Sequence, residues 1–135
     1  MTDRELCALS IKAMEKSYSP YSNCRVGAAL LTKSGKVYTG CNIENASFTP
    51  TVCAERTAFF KAISEGEKEF EKIAVAGGKN GVVTGAFSPC GVCRQVMSEF
   101  CDSDFEILIV TGEDSFEKVA LSELLPYSFK KESVK

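Results

Sequence analysis

The sequence predicts a three-layer α/β/α sandwich built around a mixed five-stranded sheet. Three helical and five strand-like segments follow one another in the order α-β-β-α-β-α-β-β. Helices interspersed among strands in this way pack on both faces of one sheet. The chain has 135 residues, 44% hydrophobic and 25% charged, values typical of a globular domain with its own core. We therefore expect one domain spanning residues 1–135.

The predicted boundaries rest on local signals. Thr2 and Glu5 fit a capping box that begins the first helix. Thr51 is the predicted N-cap of the second helix, and Ser88 with Pro89 at the first helical position is predicted to begin the third. Runs of β-branched and apolar residues predict strands at 25–32, 36–44, 72–78, 105–112 and 116–121.

Charge and hydropathy exclude several classes of function. A net charge of −2 provides no basic surface for a nucleic acid polymer. No apolar run approaches the roughly 18 residues of a membrane span. The N-terminal stretch MTDRELCALS lacks the apolar segment of a signal peptide, so we expect a cytoplasmic protein.

The chain contains seven cysteines and no histidine. The lack of histidine excludes Ser-His-Asp and Cys-His nucleophile systems and every histidine-containing metal site. In a reducing compartment the cysteines are expected to be thiols or metal ligands rather than disulfides. Any bound zinc must therefore be held by sulfur, with or without a carboxylate.

The motif SPCGVC places Cys90 and Cys93 three residues apart near the start of a predicted helix. Residues at this spacing are neighbours on one helix face, and the positive end of the helix dipole lowers thiol pKa values. Taken alone, the pair is equally compatible with a redox couple, half of a zinc site or two buried small side chains.

The stretch TVCAER supplies a third cysteine, Cys53, at the start of another predicted helix. Three thiolates fill three corners of a zinc tetrahedron and leave the fourth for water, as in catalytic zinc sites. Glu55 can then act as general base and general acid, provided that Cys53 lies at the very start of its helix. Arg56 and Arg94 are the candidates to offset the negative charge of a zinc held by three thiolates.

The motif CAE at 53–55, followed by PCGVC at 89–93, resembles the signature of the cytidine deaminases, short zinc-dependent nucleoside deaminases. The likeness spans nearly the whole chain through SPYS, VGAALLT, GCNIEN, CAERTA, SPCGVCRQV and ELLP. It implies one zinc per subunit, bound by Cys53, Cys90 and Cys93. It also implies that zinc-bound hydroxide attacks C4 of cytosine while Glu55 protonates N3 and helps to expel ammonia.

The resemblance also implies the substrate and the assembly. Cytidine and 2′-deoxycytidine would be converted to the uridine products plus ammonia, in pyrimidine salvage. Members of this length are homotetramers whose active sites borrow residues from neighbouring subunits, and Phe129 matches one such residue.

The remaining site residues follow from the same resemblance. Asn42 and Glu44 match the positions that hydrogen-bond the ribose, and the backbones of Ala54 and Ser88 match those that bind the pyrimidine edge. Arg56 would lie against the zinc thiolates. The chain departs from the family at one position, where Cys24 replaces the usual phenylalanine two residues before VG, and we therefore expect weaker nucleoside binding.

Two alternatives remain open. A blasticidin-type deaminase shares the zinc motifs, although GCNIEN favours a substrate with a ribose. A non-catalytic domain stabilised by zinc would need a fourth protein ligand, for which Cys41 and Cys101 are the candidates.

Overall fold

The computed structural model describes residues 1–135 as one five-stranded sheet with helices on both faces. The strands, numbered in chain order, are β1 (Cys24–Thr32), β2 (Val37–Cys41), β3 (Phe70–Lys79), β4 (Glu106–Gly112) and β5 (Ser115–Ala120). The helices are α1 (Asp3–Ala13), α2 (Ala54–Ser64), α3 (Gly91–Phe100) and the short α4 (Leu121–Leu124). Single 3₁₀ turns follow α1 and end the chain, at Met14–Lys16 and Lys131–Val134. None of these helices has the length and hydropathy that a membrane-spanning helix needs.

The strands lie in the order β2-β1-β3-β4-β5, and only β3 and β4 run parallel. The predicted mixed sheet is therefore confirmed, and β1 and β2 form an antiparallel hairpin. The predicted strand at 36–44 is too long, because β2 ends at Cys41. Beyond that point Ile43 forms only isolated bridges, to Tyr18 and Val52.

Two hydrophobic cores lie on opposite faces of the sheet. Successive residues of β1 alternate between them, with Ala28 and Leu30 in one core and Ala29 and Leu31 in the other. The first core packs against α2 and α3, and the second packs against α1. The predicted three-layer arrangement is confirmed, with the helices that carry the cysteine motifs on the same face.

The helix starts agree with the prediction at α1 only. Thr2 Oγ1 accepts a 3.1 Å hydrogen bond from the Glu5 amide, and Glu5 Oε1 accepts a 2.8 Å bond from the Thr2 amide, which completes the capping box. Thr51 is not the N-cap of α2, because its hydroxyl accepts instead from the Asn45 amide at 3.0 Å. The N-cap of α2 is Cys53.

The predicted start of α3 is also wrong. Cys90 is the N-cap, with φ −70° and ψ 169°, so Ser88 and Pro89 precede the helix. The Ser88 hydroxyl is paired with the guanidinium of Arg94 at 3.3 Å instead of capping a helix amide. Both cysteine-bearing helices therefore begin one residue after a cysteine.

The position of α2 depends on a glycine in the neighbouring strand. A Cβ atom at Gly40 would lie 2.6 Å from the Ala54 carbonyl oxygen and 2.6 Å from the Ala58 amide nitrogen. These are backbone atoms that a side chain cannot push aside without moving the helix. The backbone of the first turn of α2, which follows Cys53, therefore packs so closely against β2 that only glycine fits at position 40.

We expect Gly40→Ala to lower the free energy of unfolding by about 1–3 kcal/mol, because the added methyl group overpacks the contact between α2 and β2. Urea denaturation of the metal-free protein measures this change. Gly91→Ala is the control, since a Cβ there meets no heavy atom within 4 Å. Equal urea midpoints for Gly40→Ala and the wild type would contradict the importance of this close approach.

Candidate metal centre and active site

The starts of α2 and α3 bring three sulfur atoms together. Cys53 and Cys90 are N-caps in extended conformation, and neither thiol caps a helix amide. The Sγ atoms of Cys53 and Cys90 are 3.5 Å apart, and those of Cys90 and Cys93 are 3.6 Å apart. All three sulfurs lie within 4.8 Å of one another.

The proximity of Cys90 and Cys93 has a different origin from the predicted one. Cys90 lies before the helix and Cys93 is its third residue, so they are not neighbours on a helix face. They occupy the two positions whose side chains approach each other in a capping box. Both thiols also lie beside backbone amides that have no partner within the helix.

The sulfur positions fit a zinc ion. Zn–S bonds of about 2.3 Å in a tetrahedron place neighbouring sulfurs roughly 3.8 Å apart, close to the two observed separations. Cys41 and Cys101, the candidates for a fourth ligand, do not belong to the cluster, and all seven cysteines are free thiols. The residues present therefore supply three ligands and leave one tetrahedral position without a protein ligand.

The thiols are electrostatically coupled to one another and to Arg56. Its Nη2 atom lies 3.6 Å from Cys53 Sγ. Hydrogen bonding to Cys93, and then to Arg56 and Cys90, lowers the pKa of the Cys53 thiol to about 5 against the opposing effect of burial. The hydrogen bond with Cys53 and burial raise the pKa of Cys93, and the charge of Glu55 adds to the rise. The cluster thus already favours one thiolate.

Glu55 is the second residue of α2 and is only 4% exposed. The role predicted for Glu55 requires Cys53 to lie at the very start of α2. This condition is met, because Cys53 precedes the first helical residue and has an extended conformation. Burial, followed by the negative charge of Cys53, raises the pKa of Glu55 to about 7. A carboxyl group that binds and releases a proton near neutral pH therefore lies beside the sulfurs.

Arg94, the other candidate to offset the charge of the thiolates, makes no contact with the sulfurs. Its guanidinium donates from Nε to the Pro89 carbonyl at 2.6 Å and from Nη1 to the Leu124 carbonyl at 2.7 Å. Its third hydrogen bond goes to the Ser88 hydroxyl, so all three bonds join backbone or hydroxyl oxygens and none joins a thiol. Of the two arginines considered from the sequence, only Arg56 contacts a cysteine sulfur.

Asn42 lies in the segment that follows β2, and its side chain makes three hydrogen bonds that use one of the two Nδ2 hydrogens. Its Oδ1 atom accepts from the Ser17 hydroxyl at 2.5 Å and from the Val26 amide at 2.9 Å. Its Nδ2 atom donates to the Cys24 carbonyl at 2.8 Å. The side chain of Asn42 therefore fixes the start of β1 against this segment.

Glu44 lines a cavity of about 420 Å³. Its Oε1 atom accepts from the Tyr21 and Ser22 amides at 2.9 and 3.1 Å, and its Oε2 atom accepts from the Ser22 hydroxyl. The Ser22 hydrogen bond is the main cause of a lowered pKa for Glu44, which keeps the carboxylate charged. The cavity is also lined by Phe48 and by Thr51, two residues before Cys53.

The supporting groups of Asn42 and Glu44 were not identified from the sequence. Ser22 belongs to the SPYS motif, which was the only signal for it, and Ser17 lies in no motif. The Ser22 hydroxyl bonds to Glu44, 22 residues further along the chain, and the Ser17 hydroxyl bonds to Asn42, 25 residues further along. Sequence spacing carries no information about such contacts.

The other predicted site residues lie around the cluster and at the chain end. Ala54 is the buried first residue of α2, and Ser88 is exposed immediately before Pro89. Cys24 is the half-buried first residue of β1. Phe129 is 63% exposed, and its carbonyl accepts from Gln95 at 2.7 Å.

Known proteins resemble this chain over almost its full length. The family described as the cytidine and deoxycytidylate deaminase zinc-binding region matches residues 1–109. The chain belongs to the cytidine deaminase family. A cytidine deaminase from Sporosarcina psychrophila is 46% identical over 134 residues, covering 99% of this chain and 96% of the relative. One from Halalkalibacterium halodurans is 46% identical over 125 residues, covering 93% and 92%.

A solved structure supports the same assignment. The crystal structure of cytidine deaminase from Burkholderia pseudomallei superposes with a TM-score of 0.87 and 44% identity, covering 96% of this chain and all of that one. The mixed five-stranded α/β fold is thus that of cytidine deaminases, and the chain is an enzyme of this family. Its cofactor is zinc, and the cluster of Cys53, Cys90 and Cys93 is consistent with one ion per subunit.

We expect Cys93→Ala to abolish stoichiometric zinc binding, because two sulfurs cannot replace the three of the cluster. Elemental analysis of the purified protein gives the zinc content. Cys41→Ala is the matched control, since it removes a free thiol outside the cluster and should leave the zinc content unchanged. Full zinc occupancy in Cys93→Ala would show that the metal is held elsewhere.

Proposed function

We propose that this enzyme hydrolyses the C4–amino bond of cytidine and of 2′-deoxycytidine, giving uridine or 2′-deoxyuridine and ammonia. The observation that carries the proposal is a buried carboxyl group, Glu55, beside three sulfurs that leave one metal position without a protein ligand. A zinc ion held by these sulfurs supplies Lewis acidity that makes water nucleophilic near neutral pH.

In the proposed reaction Glu55 moves the protons. Its carboxylate accepts a proton from the attacking water, whose oxygen adds to C4 of the base. Glu55 delivers that proton to N3, then takes the remaining proton from the oxygen added to C4 and passes it to the amino group, so that the C4–N bond breaks, ammonia leaves and a carbonyl forms at C4. Burial of Glu55 keeps bulk water away from this transfer, and its place in the first turn of α2 fixes its distance from the sulfurs.

Backbone groups at the two helix starts are proposed to orient the base. Ala54 is the first residue of α2, so its amide is one of those without a partner within the helix. Ser88 lies on the extended segment before Pro89, where its backbone is accessible. Together they present donors and acceptors on both sides of the cluster, which matches the alternating edge of a pyrimidine.

Asn42 and Glu44 are proposed to bind the sugar. Glu44 is a charged acceptor in the 420 Å³ cavity, preorganised by three hydrogen bonds from Tyr21 and Ser22. A carboxylate in this position favours a hydroxyl donor and disfavours a phosphate. Ribose and 2′-deoxyribose both offer 3′ and 5′ hydroxyls, so we include deoxycytidine among the substrates and exclude nucleotides.

The assembly is proposed to be a homotetramer with shared active sites. Large aromatic side chains are left on the surface of the subunit, which is characteristic of protein interfaces. The most exposed of them are Tyr18, Tyr21, Phe48, Tyr127 and Phe129. Phe129 follows α4 near the chain end, where its ring can reach a neighbouring subunit.

We further propose that the enzyme acts in the cytoplasm in pyrimidine salvage. The seven free cysteines, none of them in a disulfide, support a reducing compartment. Conversion of a free nucleoside to its uridine counterpart recovers a preformed base and sugar, which is the chemistry that salvage requires.

We expect Glu55→Gln to lower kcat for cytidine by about 10²–10⁴-fold while zinc content stays unchanged, because the amide cannot carry the proton. The decrease in cytidine absorbance measures turnover. Glu71→Gln, at an exposed position on β3, is the matched control and should retain full activity. Equal activity of Glu55→Gln and the wild type would contradict the assigned proton transfer.

The same assay separates the alternatives. A blasticidin-type enzyme would deaminate blasticidin S faster than cytidine, and a zinc-stabilised domain without activity would turn over neither compound in any variant.

We expect Cys24→Phe to lower the KM for cytidine by about two- to twelve-fold, the range given by an aromatic contact of about 0.5–1.5 kcal/mol. Cys24→Leu is the control, because it adds apolar volume without a ring. Steady-state kinetics with both variants measures the change. A KM in Cys24→Phe that is equal to or higher than in the wild type would contradict the prediction that Cys24 weakens nucleoside binding.

A further inference from the structure

The three sulfurs differ in how firmly packing fixes them. Cys93 is fully buried, and Cys53 is half-buried against the core on the face of α2 and α3. Cys90 is exposed, so few surrounding side chains determine where its sulfur lies. The backbone around Cys90 must therefore hold this ligand in position.

Arg94 hydrogen-bonds to both peptide groups that flank Cys90, to the first through its side chain and to the second through its backbone amide. Its side-chain Nε donates to the Pro89 carbonyl at 2.6 Å, and this carbonyl belongs to the peptide bond before Cys90. Its backbone amide donates to the Cys90 carbonyl at 3.0 Å, which belongs to the peptide bond after Cys90. Fixing the two peptide planes fixes the direction of the Cα–Cβ bond between them, and hence the region that Sγ can reach.

The same guanidinium is anchored on its outer side. Nη1 donates to the carbonyl of Leu124, the last residue of α4, at 2.7 Å, and the Leu124 side chain packs against the core. Nη2 donates to the Ser88 hydroxyl at 3.3 Å. Because the guanidinium is planar, these bonds tie the turn before α3 to α4 as one rigid unit.

Arg94 forms no ion pair, so a carboxylate does not account for its position. Its contacts are backbone and hydroxyl oxygens, and they depend on the shape of the side chain more than on its charge. A lysine would keep the charge but could not reproduce the three directed bonds.

We propose that Arg94 is a positioning residue that presents Cys90 to zinc, because its guanidinium fastens the peptide plane before Cys90 to the end of α4. The inference rests on the zinc site described above and concerns how the exposed ligand is oriented. Groups that orient metal ligands from outside typically change metal affinity about 10- to 100-fold when removed.

The test compares Arg94→Gln and Arg94→Lys with the wild type. Zinc affinity is measured by competition with a chromogenic chelator, and the thiolate-to-metal charge-transfer band is recorded after substitution with Co²⁺. Gln95→Ala is the matched control, because Gln95 also donates to a C-terminal carbonyl, that of Phe129, but touches neither peptide group of Cys90. Circular dichroism of the metal-free proteins establishes that each variant is folded.

We expect both Arg94 variants to bind zinc about 10- to 100-fold more weakly and to show a reduced Co²⁺ charge-transfer band, while Gln95→Ala matches the wild type. Wild-type zinc affinity in Arg94→Lys would overturn the proposal, because charge alone would then suffice. Unchanged affinity in both Arg94 variants would overturn it as well. If Arg94→Gln does not fold, the comparison of Arg94→Lys with Gln95→Ala decides.

The two proposals can fail separately. A wild-type protein that binds zinc tightly but leaves cytidine and deoxycytidine unchanged would contradict the proposed function without affecting the role of Arg94. An active wild type whose zinc affinity is insensitive to both Arg94 substitutions would contradict only the role of Arg94.

Discussion

The active-site region depends on one constraint, the replacement of the usual N-cap residues of two helices by cysteine. Serine, threonine, aspartate or asparagine at an N-cap normally accepts a hydrogen bond from the helix. Cys53 and Cys90 make no such bond, so their sulfurs are available to a metal while the helix amides remain nearby. The same geometry allows Glu55, two residues beyond one of the caps, to approach the sulfurs. A helix that began two residues earlier would turn Glu55 to another side.

The region around the proposed sugar site is held together by hydrogen bonds rather than by apolar packing. The backbone of the segment after β2 pairs with that of Tyr18, through Tyr18 N to Asn42 O at 3.1 Å and Glu44 N to Tyr18 O at 2.8 Å. Asn42 then ties the segment to β1, and Ser22 holds the Glu44 carboxylate. Different hydrogen bonds therefore support the cysteine cluster and the proposed sugar site, and the two regions meet at the segment between β2 and α2. Under the proposed function, this separation would let the sugar contacts change without moving the cysteines.

The sequence was sufficient for the order of the elements and for the sulfur cluster, because both depend on local patterns. Periodicity located all five strands, and the spacing of Cys53, Cys90 and Cys93 indicated three sulfur ligands without histidine. The starts of α2 and α3 were predicted wrongly because Thr51 and Ser88 have strong capping propensity, and tertiary partners use their hydroxyls instead.

Arg94 shows a second limit of sequence reasoning. Its place beside Cys93 in the chain suggested a direct role at the thiolates, but its main anchor, Leu124, lies 30 residues further along. A contact at that separation depends on how α4 packs against α3, which no short motif encodes. The resemblance already implied that Arg56 lies against the thiolates, whereas the anchoring of Arg94 is visible only in the three-dimensional structure.

Cys53 and Cys90 are separated by 37 residues, and the segment between them includes β3, the central strand of the sheet. Cys53 begins the helix that rests on β2, an edge strand with a single partner, whereas Cys90 begins the helix that leads into β4. A zinc ion joining them acts as a reversible cross-link between the periphery of the sheet and its middle. Opening of that edge would loosen the position of Cys53, so local unfolding of the hairpin would weaken the binding of the ion.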